Sequence, residues 1–236
     1  MKSLYNFSQF SQNLLESSSP IVIDKLKDKY SISDLEWKAM RAIPEEGIED
    51  DIEDYYKTTG AKDFVTKIVN LVSDGIFEDP GEVSEFMLNV AAVESCYGTN
   101  SKTYKRSNIT KGIFQLDKKT SLNTVGYKGD PSTGNHKIKK YLMECKREIK
   151  NKLGLDWDKV PFESLSKPLY NALAARMFIG VRARSYSFDS ETNITKERLV
   201  PIPKTKEKQA SWWKKRYNSD QGAGTTSKFI NPSCSI

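Results

Sequence analysis

Apolar residues recur at helical spacing along most of this chain, while alternating, strand-like runs are almost absent. Two short exceptions lie at residues 21–23 and 112–116, and the stretches 97–134 and 184–205 are predicted to be irregular. The pattern therefore predicts a mainly α protein with little β structure. Helices are predicted over residues 5–16, 33–43, 48–58, 61–76, 80–95, 135–153, 166–183 and 206–217.

The charges are divided unevenly along the chain, whose formal net charge is +6. Residues 1–94 hold 9 Lys and Arg against 19 Asp and Glu, whereas residues 95–236 hold 28 against 12. An acidic cluster fills residues 45–54, and a domain boundary is predicted shortly after it. We therefore expect a small acidic helical N-terminal region over residues 1–60, able to serve as an attachment segment, and a second domain over residues 61–236.

The basic second half favours an anionic partner, either nucleic acid or the acidic polymers and peptide carboxylates of a bacterial cell wall. No phosphate-binding loop, zinc-finger spacing or ribonucleoprotein motif accompanies the charge. Specific nucleic-acid recognition is therefore not predicted, although a basic helical nucleic-acid-binding domain stays open as an alternative.

Other sequence signals narrow the class of protein. No run approaches the roughly 20 apolar residues of a membrane-spanning helix, and residues 1–8 lack the apolar stretch of a signal peptide, so synthesis in a cytoplasm without one is expected. The three cysteines, Cys96, Cys145 and Cys234, have no metal-binding spacing and are predicted to be reduced thiols. The only histidine, His136, is predicted in a loop with no catalytic part, so a Cys–His nucleophile is disfavoured. No metal or cofactor is predicted.

One carboxyl interrupts an otherwise apolar helix face. Glu94 lies on the same helical face as a preceding apolar stripe. A carboxyl held against apolar surroundings loses hydration, so its pKa rises, and a carboxylic acid still protonated near neutral pH can act as a general acid in glycosidic bond cleavage. The alternative is an ordinary helix-end glutamate turned toward water. The stripe consists of Val83, Phe86, Met87, Val90 and Ala91.

Three short segments occur in a recognisable order. Glu94-Ser95 ends a predicted helix, Gly112-Ile113-Phe114-Gln115 follows after an irregular stretch, and Tyr217-Asn218 lies within the late segment 212–225. This order resembles the goose-type lysozyme and soluble lytic transglycosylase family. It is still more similar to lysozyme-like proteins of bacteriophage virions, and the resemblance covers about residues 80–230.

The resemblance implies a lysozyme-like helical domain with Glu94 as the catalytic acid. It also implies that Ser95 helps to orient the acid or to bind substrate, and that the hydroxyl of Tyr217 approaches the acid. Phe114 replaces the usual methionine, and residues 216–220 depart from the family pattern, so we expect sugar subsites that differ in shape from those of the family. The residues implied to bind substrate are Ser95, Gly112, Ile113, Phe114, Gln115, Tyr217 and Asn218.

The function implied by the resemblance is that of a peptidoglycan-degrading lytic transglycosylase. Such an enzyme cleaves the β-1,4 bond between N-acetylmuramic acid and N-acetylglucosamine with a single glutamate and without a metal or cofactor. The expected partners are peptidoglycan glycan strands and phage structural proteins, and the expected location is the virion, acting on the host cell wall. A catalytically inactive, lysozyme-fold structural virion protein stays open as an alternative.

Two further interpretations stay open. Asp117 is the candidate for a second carboxylate that positions water, and the alternative is a solvated loop or helix-cap aspartate. Trp212, Trp213 and Tyr217 can either stack on sugar rings or form a core-facing helical stripe.

Overall fold

The computed structural model describes residues 20–42, 61–79, 81–99, 103, 110–117, 136–189, 194–218 and 224–234. Over these residues the protein is mainly helical with little strand, as the sequence predicts. Eight α-helices occur in the described part of the chain. They are α1 (Pro20–Lys29), α2 (Asp34–Met40), α3 (Ala61–Asn70), α4 (Gly81–Ser95), α5 (His136–Leu153), α6 (Pro168–Arg182), α7 (Lys206–Trp212) and α8 (Thr226–Ile230).

Two of these helices continue into π-helical turns. Leu71–Ile76 follows α3, and Trp213–Asn218 follows α7. Two antiparallel pairs of strands complete the described regular structure, apart from short 3-10 turns before α6. The strands are β1 (Thr110–Lys111) with β2 (Leu116–Asp117), and β3 (Arg184–Asp189) with β4 (Ile194–Leu199).

The predicted helices are confirmed wherever the chain is described, with shifts of a few residues at their ends. Four details differ from the sequence predictions. The segment 112–116, predicted to be strand-like, forms a turn over residues 112–115 that joins β1 to β2. Residues 21–23, predicted to be strand-like, lie in α1, because Ile23, Leu26 and Tyr30 share one face that packs on the core. His136 is the first residue of α5 and not a loop residue. The stretch 184–205 contains the β3–β4 hairpin.

One apolar core joins the helices on both sides of the predicted domain boundary. Ile32, Trp37 and Met40, from the N-terminal part, belong to the same cluster as the buried faces of α3, α4 and α6. A part-buried ion pair between Lys67 and Glu36, at 2.6 Å, also joins α3 to α2. The boundary itself, the acidic cluster at 45–54 and the predicted helices 5–16 and 48–58 lie outside the described residues.

Helix α6 is the central element, with most of its side chains buried. Arg176, on this helix, forms a two-pronged ion pair with Asp79, just before α4, and the two side chains are only 12% and 8% exposed. Arg176 Nη1 also donates to the Tyr141 hydroxyl of α5 at 2.8 Å. Because a bidentate guanidinium–carboxylate pair is geometrically specific, this contact fixes how α4 begins relative to α6.

Candidate active site around Glu94

The candidate acid lies in the last turn of α4, which ends at Ser95. Ser95 is 1% exposed, and its hydroxyl donates to the Ala91 carbonyl at 3.2 Å and accepts from the Gly98 amide at 2.9 Å. The chain reverses directly after the helix through left-handed residues, with φ of 50° at Cys96 and 85° at Gly98. The Ser95 hydroxyl is therefore occupied by backbone groups, and it fixes the turn that follows Glu94.

The Glu94 carboxyl is partly buried and accepts two hydrogen bonds. Trp213 Nε1 donates to Glu94 Oε1 at 3.2 Å, and the Asn218 side chain also donates to the carboxyl. Burial raises the pKa of Glu94 to about 7, because loss of water penalises the charged form more than the two donors stabilise it. This is the direction the sequence predicts, and it contradicts the alternative of a glutamate turned toward water.

Both donors come from the π-helical turn Trp213–Asn218. The sequence predicted a plain helix here, ending at residue 217. In an α-helix, residues three or four apart share a face, whereas π-helical hydrogen bonds join residues five apart. The π-turn therefore places Trp213 and Asn218, which are five apart, where both can reach Glu94.

Tyr217 lies beside the acid and is held by two contacts. Its hydroxyl donates to the Phe114 carbonyl at 2.9 Å, and its ring meets Phe178 edge-on with centroids 5.1 Å apart. Burial, and then the charges of Glu94 and Asp117, raise the pKa of Tyr217 well above its ordinary value. Tyr217 is therefore a neutral phenol whose proton is directed to Phe114, and both carboxyls are near enough to influence it.

A tight turn at residues 112–115 packs against α6. Gly112 has a φ of 68°, and a Cβ at this position would lie 2.5 Å from both Asn171 Cγ and the Leu165 carbonyl oxygen, so only glycine fits. Asn171, fully buried on α6, accepts from the Phe114 amide at 2.7 Å and donates to the Lys111 carbonyl at 2.9 Å. Asn171 thereby fixes the turn whose Phe114 carbonyl holds Tyr217.

The side chains of this turn have different surroundings. Ile113 and Phe114 are fully buried in the core, so only their backbone is near the site. Gln115 is half-buried with a φ of 48°; its amide donates to the Gly112 carbonyl at 2.7 Å, and its carbonyl accepts from the Thr110 hydroxyl at 3.1 Å. Gln115 thus stabilises the turn through its side-chain hydrogen bonds to Gly112 and Thr110.

The structure places Tyr217 and Asn218 near Glu94, with the Tyr217 hydroxyl bonded to the Phe114 carbonyl and not to the acid. It also adds residues that the sequence did not single out. Asn171 is one. Gly224 is another, because a Cβ there would clash with the Trp213 ring and lie 2.7 Å from Asn218 Nδ2. Trp213, left open between sugar stacking and core packing, is 1% exposed and belongs to the core while also donating to Glu94.

A basic cavity of about 400 Å³ lies on another side of the same π-turn and does not include Glu94. No carboxylate lines it among the residues that the structure describes. Arg182, which lines the cavity, lies over the Phe178 ring at 5.1 Å, and the same ring contacts Tyr217. The cavity is lined by Ile138, Val181, Arg182, Arg184, Lys215 and Arg216.

Comparison with protein-family models, with curated proteins and with solved structures gave no match. Within the described ranges, no group of three or more His, Cys, Asp or Glu side chains is arranged to hold a metal ion. None of the described helices combines the length and the apolar character needed to cross a bilayer.

Proposed function

We propose that this protein is a lysozyme-like lytic transglycosylase that cleaves the β-1,4 bond between N-acetylmuramic acid and N-acetylglucosamine in peptidoglycan. The observation that carries the proposal is the surroundings of Glu94, whose pKa is raised to about 7 at the end of a buried helix. A general acid works best when its pKa lies near the operating pH, and ordinary surface glutamates are already ionised there.

In the proposed mechanism, protonated Glu94 donates its proton to the glycosidic oxygen as the bond to the muramic C1 breaks. The resulting carboxylate then takes the proton from the muramic C6 hydroxyl, whose oxygen attacks C1 and closes a 1,6-anhydro ring. Glu94 ends the cycle protonated, so a single carboxyl suffices. Trp213 and Asn218 stabilise the carboxylate between the two steps, since both donate to it.

The remaining predicted residues have supporting roles in this proposal. Tyr217 lies near the acid and is held to the turn at 112–115 by its bond to the Phe114 carbonyl, and Ser95 fixes the chain just after Glu94. Gln115 stabilises the same turn through its hydrogen bond to the Gly112 carbonyl. Asp117 also influences Tyr217, and if it positions a water, the outcome is hydrolysis.

The decisive experiment compares the Glu94→Gln variant with the wild type on purified peptidoglycan. We expect the release of soluble muropeptides to fall by at least about a thousandfold while the circular dichroism spectrum is unchanged, because glutamine cannot donate a proton. Glu85→Gln, an exposed position on the same helix, is the matched control and should retain full activity. An active Glu94→Gln variant contradicts the proposal.

The reaction products distinguish a lytic transglycosylase from a hydrolase. Mass spectrometry of the released fragments should find muropeptides that end in 1,6-anhydromuramic acid, which lack one water relative to hydrolysis products. Fragments that carry only reducing-end muramic acid would assign the protein as a hydrolase that uses the same acid.

We further propose that the protein is a bacteriophage virion component that acts on the host cell wall and is held in the particle by phage structural proteins. This part rests on the sequence resemblance. Detection of the protein in purified particles by mass spectrometry tests it. A wild-type protein that is present in particles but releases no muropeptides would favour the inactive structural alternative.

A second candidate function, binding of nucleic acid by a basic helical domain, is favoured by the cavity lined by Arg182, Arg184, Lys215 and Arg216. Affinity of this kind falls steeply with salt, because binding releases counterions. DNA binding measured across a salt series in wild type and Glu94→Gln separates the candidates. Tight, salt-dependent binding that is indifferent to Glu94, without glycan cleavage, would replace the proposed enzyme.

A further inference from the structure

Two of the three cysteines meet behind the candidate acid. Cys234, in the C-terminal tail, places its thiol 3.5 Å from the Ala92 carbonyl, the oxygen that also accepts the Cys96 amide at 3.0 Å. In return, the Cys96 thiol lies 3.6 Å from the carbonyl of Ser233, the residue before Cys234. Both cysteines are partly exposed, whereas Cys145 is buried.

We propose that Cys96 and Cys234 form a disulfide bond when the protein leaves a reducing compartment. Each thiol already contacts backbone next to the other cysteine, and Cys96 is near enough to contribute to the raised pKa of Cys234. The two cysteines are therefore neighbours in the folded chain, and spatial proximity is the first requirement for joining them. This extends the sequence prediction of reduced thiols, which applies to the compartment of synthesis.

The oxidant is a small-molecule disulfide such as oxidised glutathione. The Cys96 thiol loses its proton as it attacks, forms a mixed disulfide with one glutathione and releases the other as a thiolate. Burial and the neighbouring Cys96 raise the pKa of Cys234, which disfavours Cys234 as the first nucleophile. Cys234 then loses its proton, attacks the Cys96 sulfur and displaces the second glutathione. Two protein thiols are oxidised, one glutathione disulfide is reduced to two thiols, and the two protons end on the released glutathione.

The bond would fasten the C-terminal tail to the end of α4. It closes a loop of about 140 residues, which removes conformational freedom from the unfolded chain. It also secures α8, whose Phe229 packs against the Phe86 ring of α4 at 5.9 Å and the Trp213 ring at 5.3 Å. The disulfide bond therefore stabilises the side of the site from which Trp213 donates a hydrogen bond to Glu94.

The test uses the full chain, folded and equilibrated in equal concentrations of reduced and oxidised glutathione, then digested without reduction. Mass spectrometry should find one linked peptide pair, Cys96 with Cys234, lighter by two hydrogens than the separate peptides, and an unmodified Cys145. Cysteines that stay reduced, that carry only glutathione, or that link through Cys145 would overturn the proposal.

Thermal unfolding supplies an independent measurement. Oxidation should raise the midpoint by about 5 °C or more in the wild type and in Cys145→Ala, and by nothing in Cys96→Ser or Cys234→Ser. An equal rise in Cys96→Ser would also overturn the proposal. The outcome does not depend on whether the protein cleaves glycan.

Discussion

The π-helical turn Trp213–Asn218 has two sides with opposite electrostatic character. On one side, Trp213 and Asn218 donate to the partly buried Glu94, whose pKa is raised to about 7. On the other side, Lys215 and Arg216 line an open basic cavity. The same six residues therefore border both a carboxyl that burial keeps partly protonated and a cavity lined by basic side chains.

The difference follows from desolvation. Glu94 lies beside Trp213, which is 1% exposed, so little water is available to stabilise its charge. Lys215 is exposed and Arg216 half-exposed, so both side chains are in contact with water. The packing around the acid should therefore control its protonation, whereas the cavity should act through long-range, salt-dependent attraction. Single substitutions on either side of the turn test that separation.

Replacement of Asn171 by alanine should have the largest effect on stability. It leaves the buried Phe114 amide and Lys111 carbonyl without their partner, so we expect a loss of about 3 kcal/mol in the free energy of unfolding. Urea denaturation measures it. The control is Asn89→Ala, which breaks a part-buried bond to Gln209 and should cost less; a loss below about 1 kcal/mol for Asn171→Ala would contradict its role.

The pH dependence of stability should report Glu94 directly. Its pKa is about 7 in the folded protein against an ordinary value of 4.5, so the folded state binds more protons than the unfolded state between these values. Stability is therefore expected to fall as pH rises through this window, by about 2 kcal/mol after allowance for partial exposure. Urea unfolding at pH 4.5 and pH 8 measures the change in wild type and in Glu94→Gln.

In Glu94→Gln this contribution is absent, so the variant should be less sensitive to pH and more stable than wild type at pH 8. Equal pH dependence in the two proteins would show that Glu94 is solvated in the folded state. The comparison needs no substrate, so it tests the surroundings of the acid separately from the proposed activity.

Loss of one hydrogen-bond donor should have a smaller effect, which is a further change in the pKa of Glu94. Trp213→Phe removes the Nε1–H that stabilises the Glu94 carboxylate, so the pKa of Glu94 should rise further, by about half a unit. Carbon-detected NMR titration of the glutamate carboxyls measures this. Trp212→Phe is the matched control, because Trp212 donates to the Val200 carbonyl instead; an equal shift in both variants would mean that packing, and not the hydrogen bond, sets the value.

Much of the helical frame could be predicted from the sequence, because the stripe that ends at Glu94 has plain helical periodicity and all five of its apolar members are buried. The raised pKa could also be predicted in direction, since a carboxyl on a buried face loses hydration. Asn171 was missed because it lies among apolar residues of α6, and its bonds to residues 111 and 114 depend on tertiary packing.

The π-turn and the β3–β4 hairpin show two other limits of prediction from the sequence. Residues 206–217 have ordinary helical composition, and nothing in their pattern marks the change to π-helical bonding at Trp213. The alternation at residues 185–188, Ser-Tyr-Ser-Phe, is a strand signal, but it is too short to outweigh the surrounding charged and polar residues. Local patterns therefore locate the acid, and packing supplies the groups that surround it.

The smallest effect is expected on the basic side of the turn. Lys215→Ala should leave the free energy of unfolding and the pKa of Glu94 unchanged, because Lys215 is exposed and lines the cavity. Binding to a short single-stranded DNA, used as a polyanion probe, should weaken a few-fold, and the salt dependence should fall by about one counterion. Lys208→Ala, an exposed lysine of α7 outside the cavity lining, should weaken binding less. If Lys215→Ala instead moves the pKa of Glu94, the two sides of the turn are electrostatically coupled, and the cations help to set the protonation of the acid.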